Sequence, residues 1–151
     1  VEFIDYQCGY CKKAHKNIEA ILKSNADLRY VVKELPILGS GSDMSAAIAL
    51  TILEYEGKQL YQKFNDALLN YNGPISQESM TRILENLSIN SATIFSKYDS
   101  KVINDRIERN KQLAKELNIN GTPTFIIGSE IVRGYVPKNE LQKIIDRAIA
   151  K

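Results

Sequence analysis

Cys8 and Cys11 are the only cysteines in the chain, set apart by Gly9 and Tyr10 in the run Phe3-Ile-Asp-Tyr-Gln-Cys-Gly-Tyr-Cys-Lys12. Two thiols at this spacing can perform thiol–disulfide exchange, in which one thiolate attacks a disulfide and a second thiol releases the mixed disulfide. The pair sits where a short apolar run hands over to a helix-like segment, the usual setting of a thioredoxin-like redox motif. Cys8 falls at the first turn, where free N–H groups and the helix dipole favour an anion. Cys11 lies one turn further in and is more shielded. Cys8 is therefore expected to be the nucleophile and Cys11 the resolving residue. A structural bridge is the weaker alternative, because so small a loop restrains the unfolded chain little. Metal chemistry is not expected: a structural zinc site needs four ligands, and the chain offers two cysteines and one histidine. Only a zinc site shared between chains stays open. Lys12 stands where a c-type haem motif would need histidine.

Four further positions could join this chemistry. Pro123, in Gly121-Thr-Pro-Thr124, opens a strand and brings no N–H. Locally a trans turn is the commoner form, although an X–Pro bond keeps only a small trans preference. Glu2, six residues before Cys8, could accept a proton from Cys11 if buried; its alternative is a solvent-facing strand glutamate. His15 shares a helix face with Cys11 and could tune the thiols, but a packed core histidine is the preferred reading. Tyr10 should offer an exposed aromatic surface, while Lys12 and Lys13 add positive charge or point to solvent.

The elements that must position these residues follow from periodicity. Val1 to Tyr6 reads as a central strand, and Ala14, Ile18, Ile21 and Leu22 mark an amphipathic helix ending near Ser24-Asn25. Leu28 to Leu35 reads as a second strand, stopped by Pro36. This β-α-β start favours a parallel pair. Between Pro36 and Gly121 only helices are expected, with Ser42, Ser76 and Asn90 at their starts and a last long helix over Val102 to Leu117. Thr124–Ile127 and Glu130–Arg133 form a hairpin about Gly128-Ser129, and Pro137 suits the first turn of a closing helix. The expected fold is α/β, a thioredoxin fold with a mixed central sheet and an inserted all-helical domain. Residues 1–36 and 121–151 make the thioredoxin-like part and 37–120 the insertion.

With 151 residues, 44% of them hydrophobic, the chain can bury a core without a disulfide staple. Twenty basic residues against 18 acidic ones, with no dense basic run, give no nucleic-acid face. No apolar run is long enough for a transmembrane span and no signal peptide is present. Val1 already lies inside a strand, so the chain is expected to be part of something longer.

Taken together, the Phe3–Lys12 run, the helical insertion and Gly121-Thr-Pro-Thr-Phe-Ile-Ile-Gly128 resemble the DsbA superfamily of bacterial periplasmic disulfide oxidoreductases. The resemblance covers essentially the whole chain. It implies a cis Thr122–Pro123 bond facing Cys8, Glu2 at the buried-acid position, a periplasmic location and no cofactor beyond the Cys8–Cys11 pair. The dipeptide Gly9-Tyr10 and the residue Thr122 depart from DsbA proper, which resembles Cys-Pro-His-Cys with valine before the proline. They are similar instead to the isomerase DsbC, and the insertion followed by Thr-Pro looks like DsbA-like ScsC proteins. Without a histidine in the dipeptide the Cys8 thiolate should be less stabilised, and the pair a milder oxidant. The expected activity is disulfide isomerisation, with DsbA-type oxidation as the alternative and a chaperone-like binding module as a distant third. Unfolded or misfolded secreted proteins would be the substrates, pairing as a strand beside Pro123. The resemblance further implies a DsbD-like reductant or a DsbB-like oxidant in the membrane. It also implies a homo-oligomer formed through an N-terminal segment outside this chain, which alone would be monomeric.

Overall fold

The computed structural model describes residues 1–151. It places β1 at Glu2–Ile4, α1 at Gly9–Ser24 and β2 at Val32–Glu34. Five helices follow without a strand: α2 (Ser40–Tyr55), α3 (Lys58–Leu69), α4 (Gln77–Asn86), α5 (Ser91–Lys97) and α6 (Lys101–Glu116). β3 (Thr124–Ile127), β4 (Glu130–Arg133) and α7 (Lys138–Ile149) close the chain. The sheet order is β2-β1-β3-β4, with β1 parallel to β2 and antiparallel to β3, and β3 antiparallel to β4. This is a thioredoxin-like mixed sheet with helices inserted between β2 and β3.

Every residue of β1 is buried, which a central strand covered on both faces requires. Alternation sends successive side chains to opposite faces. Phe3 packs with Leu35, Ala114 and Ile119 under α6, while Ile4 joins Tyr6, Cys8 and Cys11 in a cluster with Ile48, Phe64, Leu68 and Leu84. The redox motif and the helical block therefore share one continuous core. A separate cluster of Ala14, Ile18, Ile21, Phe125, Leu141 and Ile145 seats α1 and α7 on the sheet. No helix is long and apolar enough to cross a membrane.

Several boundaries differ from those expected. The first two strands shrink to three residues each, and α1 starts at Gly9 with Cys8 itself as the cap. Pro137 is the cap of α7 rather than its first-turn residue. Ser42 does not begin α2: the helix starts at Ser40 after Gly39, whose φ of 101° suits glycine. The hydroxyl of Ser42 donates instead to the buried carboxylate of Asp5, at 2.7 Å. Asp5 also accepts the backbone N–H groups of Gln7, Ile37 and Leu38, at 2.8, 2.8 and 3.2 Å. One carboxylate thus turns the chain out of β1 towards the cysteines and pins the segment that enters the helical block. Ser76 and Asn90 do cap α4 and α5, their side chains accepting from Ser79 and Thr93 N–H.

Candidate active site

Cys8 has extended backbone angles (φ −75°, ψ 115°), and its Sγ accepts the N–H of Cys11 at 3.3 Å. A capping position is normally filled by Ser, Thr, Asp or Asn; here the same orphan donor is aimed at a sulfur. Both cysteines are free thiols. Cys8 keeps 8% of its surface open and Cys11 only 1%. The Cys8 thiol donates to the carbonyl of Thr122 at 3.3 Å, and the Thr122–Pro123 bond is cis. The loop is held by Thr124 Oγ1 donating to Gly121 O at 2.7 Å and by Gly134 N–H donating to Pro123 O at 2.8 Å. Cys8, Cys11, Thr122 and Pro123, more than a hundred residues apart in sequence, thus meet at one point. Thr122 meets the pair twice, its carbonyl accepting from Cys8 and its side-chain hydroxyl reaching the sulfurs of both cysteines.

The two thiols are strongly unequal. The Cys8 thiol is lowered to about 6, chiefly by a hydrogen bond from the Cys11 thiol. Burial opposes this shift, while Thr122 and the N–H groups of Cys11 and Tyr10 add to it. The Cys11 thiol is pushed far up, because its proton is held in that hydrogen bond and because it is buried. One member can ionise near neutral pH and the other keeps its proton until something takes it.

Glu2 is buried. Tyr30 OH donates to its carboxylate. Burial raises the Glu2 carboxyl to about 7, partly offset by Tyr30, and the negative charge of Cys8 pushes in the same direction as burial. Glu2 therefore lies within electrostatic reach of Cys8 and is poised to gain or lose a proton near neutrality.

Tyr10 is 63% exposed. Its ring lies 6.3 Å from that of Tyr135, over which Lys13 Nζ sits at 4.5 Å. Lys12 Nζ donates to Tyr71 O, so both lysines are engaged and neither points simply to solvent. A Cβ at Gly9 would meet nothing within 4 Å, which leaves the approach to Cys8 uncrowded. His15 is buried but faces α3, where its Nε2 is 3.1 Å from Asp66 Oδ1. Gly134-Tyr135 belongs to the similarity to DsbC read from the sequence, and the structure brings Tyr135 beside Tyr10. Sequence reading did not single out Asp5 or Tyr30, which carried no local signal.

The description "DSBA-like thioredoxin domain" matches residues 1–146. The chain is 23% identical to "Disulfide bond formation protein D" of Bacillus subtilis, over 99% of this chain and 71% of that protein. Other curated relatives are longer, the chain spanning 66% of one and 23% of another. Among solved structures it is similar to a thioredoxin-like oxidoreductase from Silicibacter pomeroyi, with a TM-score of 0.92 and 30% identity, covering 99% of this chain and 85% of that one. It is also similar to the catalytic domain of Proteus mirabilis ScsC, with a TM-score of 0.90 and 25% identity over 99% and 82% of the two chains. The chain therefore belongs to the DsbA-like thioredoxin domain family, of thiol–disulfide oxidoreductase type.

Proposed function

We propose that the chain is the catalytic unit of a periplasmic protein disulfide isomerase that is oligomeric at full length, acting on misfolded secreted proteins. The Cys8 thiolate attacks one sulfur of a substrate disulfide. A Cys8–substrate S–S bond forms, the substrate bond breaks, and the departing substrate thiolate takes a proton. That freed thiol can then attack a different substrate disulfide, and the thiol this releases attacks the Cys8–substrate bond, forming a new substrate disulfide and returning the Cys8 thiolate, which leaves the total of disulfides unchanged. Alternatively Cys11 gives its proton to the Glu2 carboxylate and attacks Cys8, releasing a reduced substrate and an oxidised Cys8–Cys11 pair. A DsbD-like membrane reductant would return that pair to the dithiol. The extended substrate would lie along the Thr122–Pro123 loop, with Tyr10 and Tyr135 as an apolar platform and residues 37–120 shaping the far wall.

The observation that carries this reading is the uncrowded Cys8 sulfur, which caps α1 by accepting the Cys11 N–H at 3.3 Å, faces the cis Thr122–Pro123 loop and has its thiol lowered towards neutrality. Such a thiolate is available to attack a disulfide at neutral pH. The name of the Bacillus subtilis relative, a disulfide bond formation protein, favours the second reading, a dithiol oxidase that introduces disulfides.

The test runs scrambled and reduced ribonuclease side by side. Recovery of the scrambled substrate in the presence of a reductant supports the isomerase; rapid oxidation of the reduced substrate without such recovery overturns it. Cys11→Ala should accumulate a mixed disulfide through Cys8, and absence of any adduct would remove the assigned roles.

A further inference from the structure

We propose that His15, Glu19 and Asp66 form a divalent-metal site of zinc type that clasps α1, the helix carrying both cysteines, to α3 of the helical block. His15 Nε2 lies 3.1 Å from Asp66 Oδ1 and 4.0 Å from Glu19 Oε1. The three ligand atoms fall within 4.8 Å of one another. Metal–ligand bonds of about 2.0–2.2 Å in a tetrahedron place ligand atoms roughly 3.3–3.5 Å apart, so a shift of Glu19 of about an ångström would complete the set. Glu19 is on the solvent side and free to make that shift.

A second observation points to a ligand. His15 is 4% exposed, yet neither ring nitrogen makes a well-aligned hydrogen bond. The only other buried side-chain nitrogen or oxygen in this condition is Ser100 Oγ. Buried polar atoms in folded proteins are otherwise paired. An imidazole whose Nε2 is close to two carboxylates but poorly aligned with either is placed as a metal ligand would be.

Charge agrees. Neither Glu19 nor Asp66 pairs with a lysine or arginine; His15 is the one basic side chain beside them. One imidazole and two carboxylates, with water in the open position, suit zinc. Counting cysteines and histidines in the sequence led to no metal site; two carboxylates from different helices change the count.

The experiment is a zinc titration of the oxidised protein, in which the Cys8–Cys11 disulfide cannot compete for metal. One saturable zinc per chain is expected, with a rise in Tm that grows with zinc concentration. Glu19→Gln and Asp66→Asn, both at half-exposed positions, should each weaken binding at least tenfold, and His15→Gln should abolish it. Cobalt should give a visible spectrum of nitrogen and oxygen ligands without thiolate charge transfer. No saturable binding, or equal affinity in Glu19→Gln and Asp66→Asn, would overturn the site. If His15→Gln does not fold, the two carboxylate variants decide.

Discussion

Glu2 and Glu34 occupy neighbouring parallel strands, Glu34 standing opposite Ile4 and Glu2 opposite Val32. Both are buried, and burial raises the carboxyl of each. Each accepts a hydrogen bond from a tyrosine hydroxyl, Tyr30 at Glu2 and Tyr61 at Glu34. There the likeness ends. Glu34 Oε1 also accepts from Tyr6 OH at 3.2 Å, and Asn65 donates to Tyr6 OH at 3.0 Å. Its backbone carbonyl takes the amide of Asn110 at 3.0 Å. Glu34 is thus the centre of a network that ties β2 to α3 and α6, and its environment includes no cysteine. Glu2 has a single side-chain donor and responds to the charge of Cys8. Two carboxyls of equal burial are separated by how fully they are satisfied: a carboxyl with several partners holds a fold, and one left under-bonded near a thiol can move a proton.

Three variants can break or sharpen that contrast. Glu34→Ala should have the largest effect, leaving the Tyr6 and Tyr61 hydroxyls without their acceptor and costing roughly 3 kcal/mol or more of stability in urea unfolding. The Cys8 thiolate, followed by its ultraviolet absorbance, should still titrate near 6. A clear shift of that titration would erase the distinction between the two glutamates.

Glu2→Gln should act with the opposite sign. The wild-type carboxyl is raised from 4.5 to about 7, so the folded state prefers it protonated. That preference is fully present below about pH 4.5 and is lost as pH rises through 7. Glutamine has nothing to lose, so the variant should be more stable than wild type above pH 7, by roughly 3 kcal/mol, and equal to it in acid. Its release of mixed disulfides through Cys11 should meanwhile slow at least tenfold. A variant less stable at pH 8 would make Glu2 a second Glu34.

Tyr30→Phe is the smallest of the three. It removes the hydrogen bond that partly offsets burial, so the Glu2 carboxyl should rise by about a further pH unit, readable by carbonyl infrared titration. No change would mean that Tyr30 bonds to an already protonated acid.

Much of this architecture is legible in the residues alone. The cysteine pair and the β-α-β, helical block, β-β-α order follow from residue type and spacing, because each is a local signal; the cis Thr122–Pro123 bond was implied only by the family resemblance. What was not legible depends on distant segments. Leu28–Leu35 is strand-like throughout, yet only Val32–Glu34 find partners on β1, and Tyr30 turns to Glu2 instead. Ser42 has the chemistry of a cap but is captured by Asp5, which no pattern links to it. Glu34 belongs to an edge strand, where a glutamate normally faces water; α3 and α6 cover it, and their positions are a tertiary outcome.

The use of Cys8 as the cap of α1 makes one atom a term in two equilibria. A thiolate is a charged acceptor for the Cys11 N–H, whereas a sulfur bound in a disulfide is a weak, neutral one. Closing a thermodynamic cycle, whatever the first turn of α1 gains from the thiolate must appear, with the same magnitude, as a preference for the dithiol over the disulfide. The midpoint potential of this protein is in that sense partly a helix–coil quantity: substitutions that fray the start of α1 should make the pair more reducing without touching either cysteine.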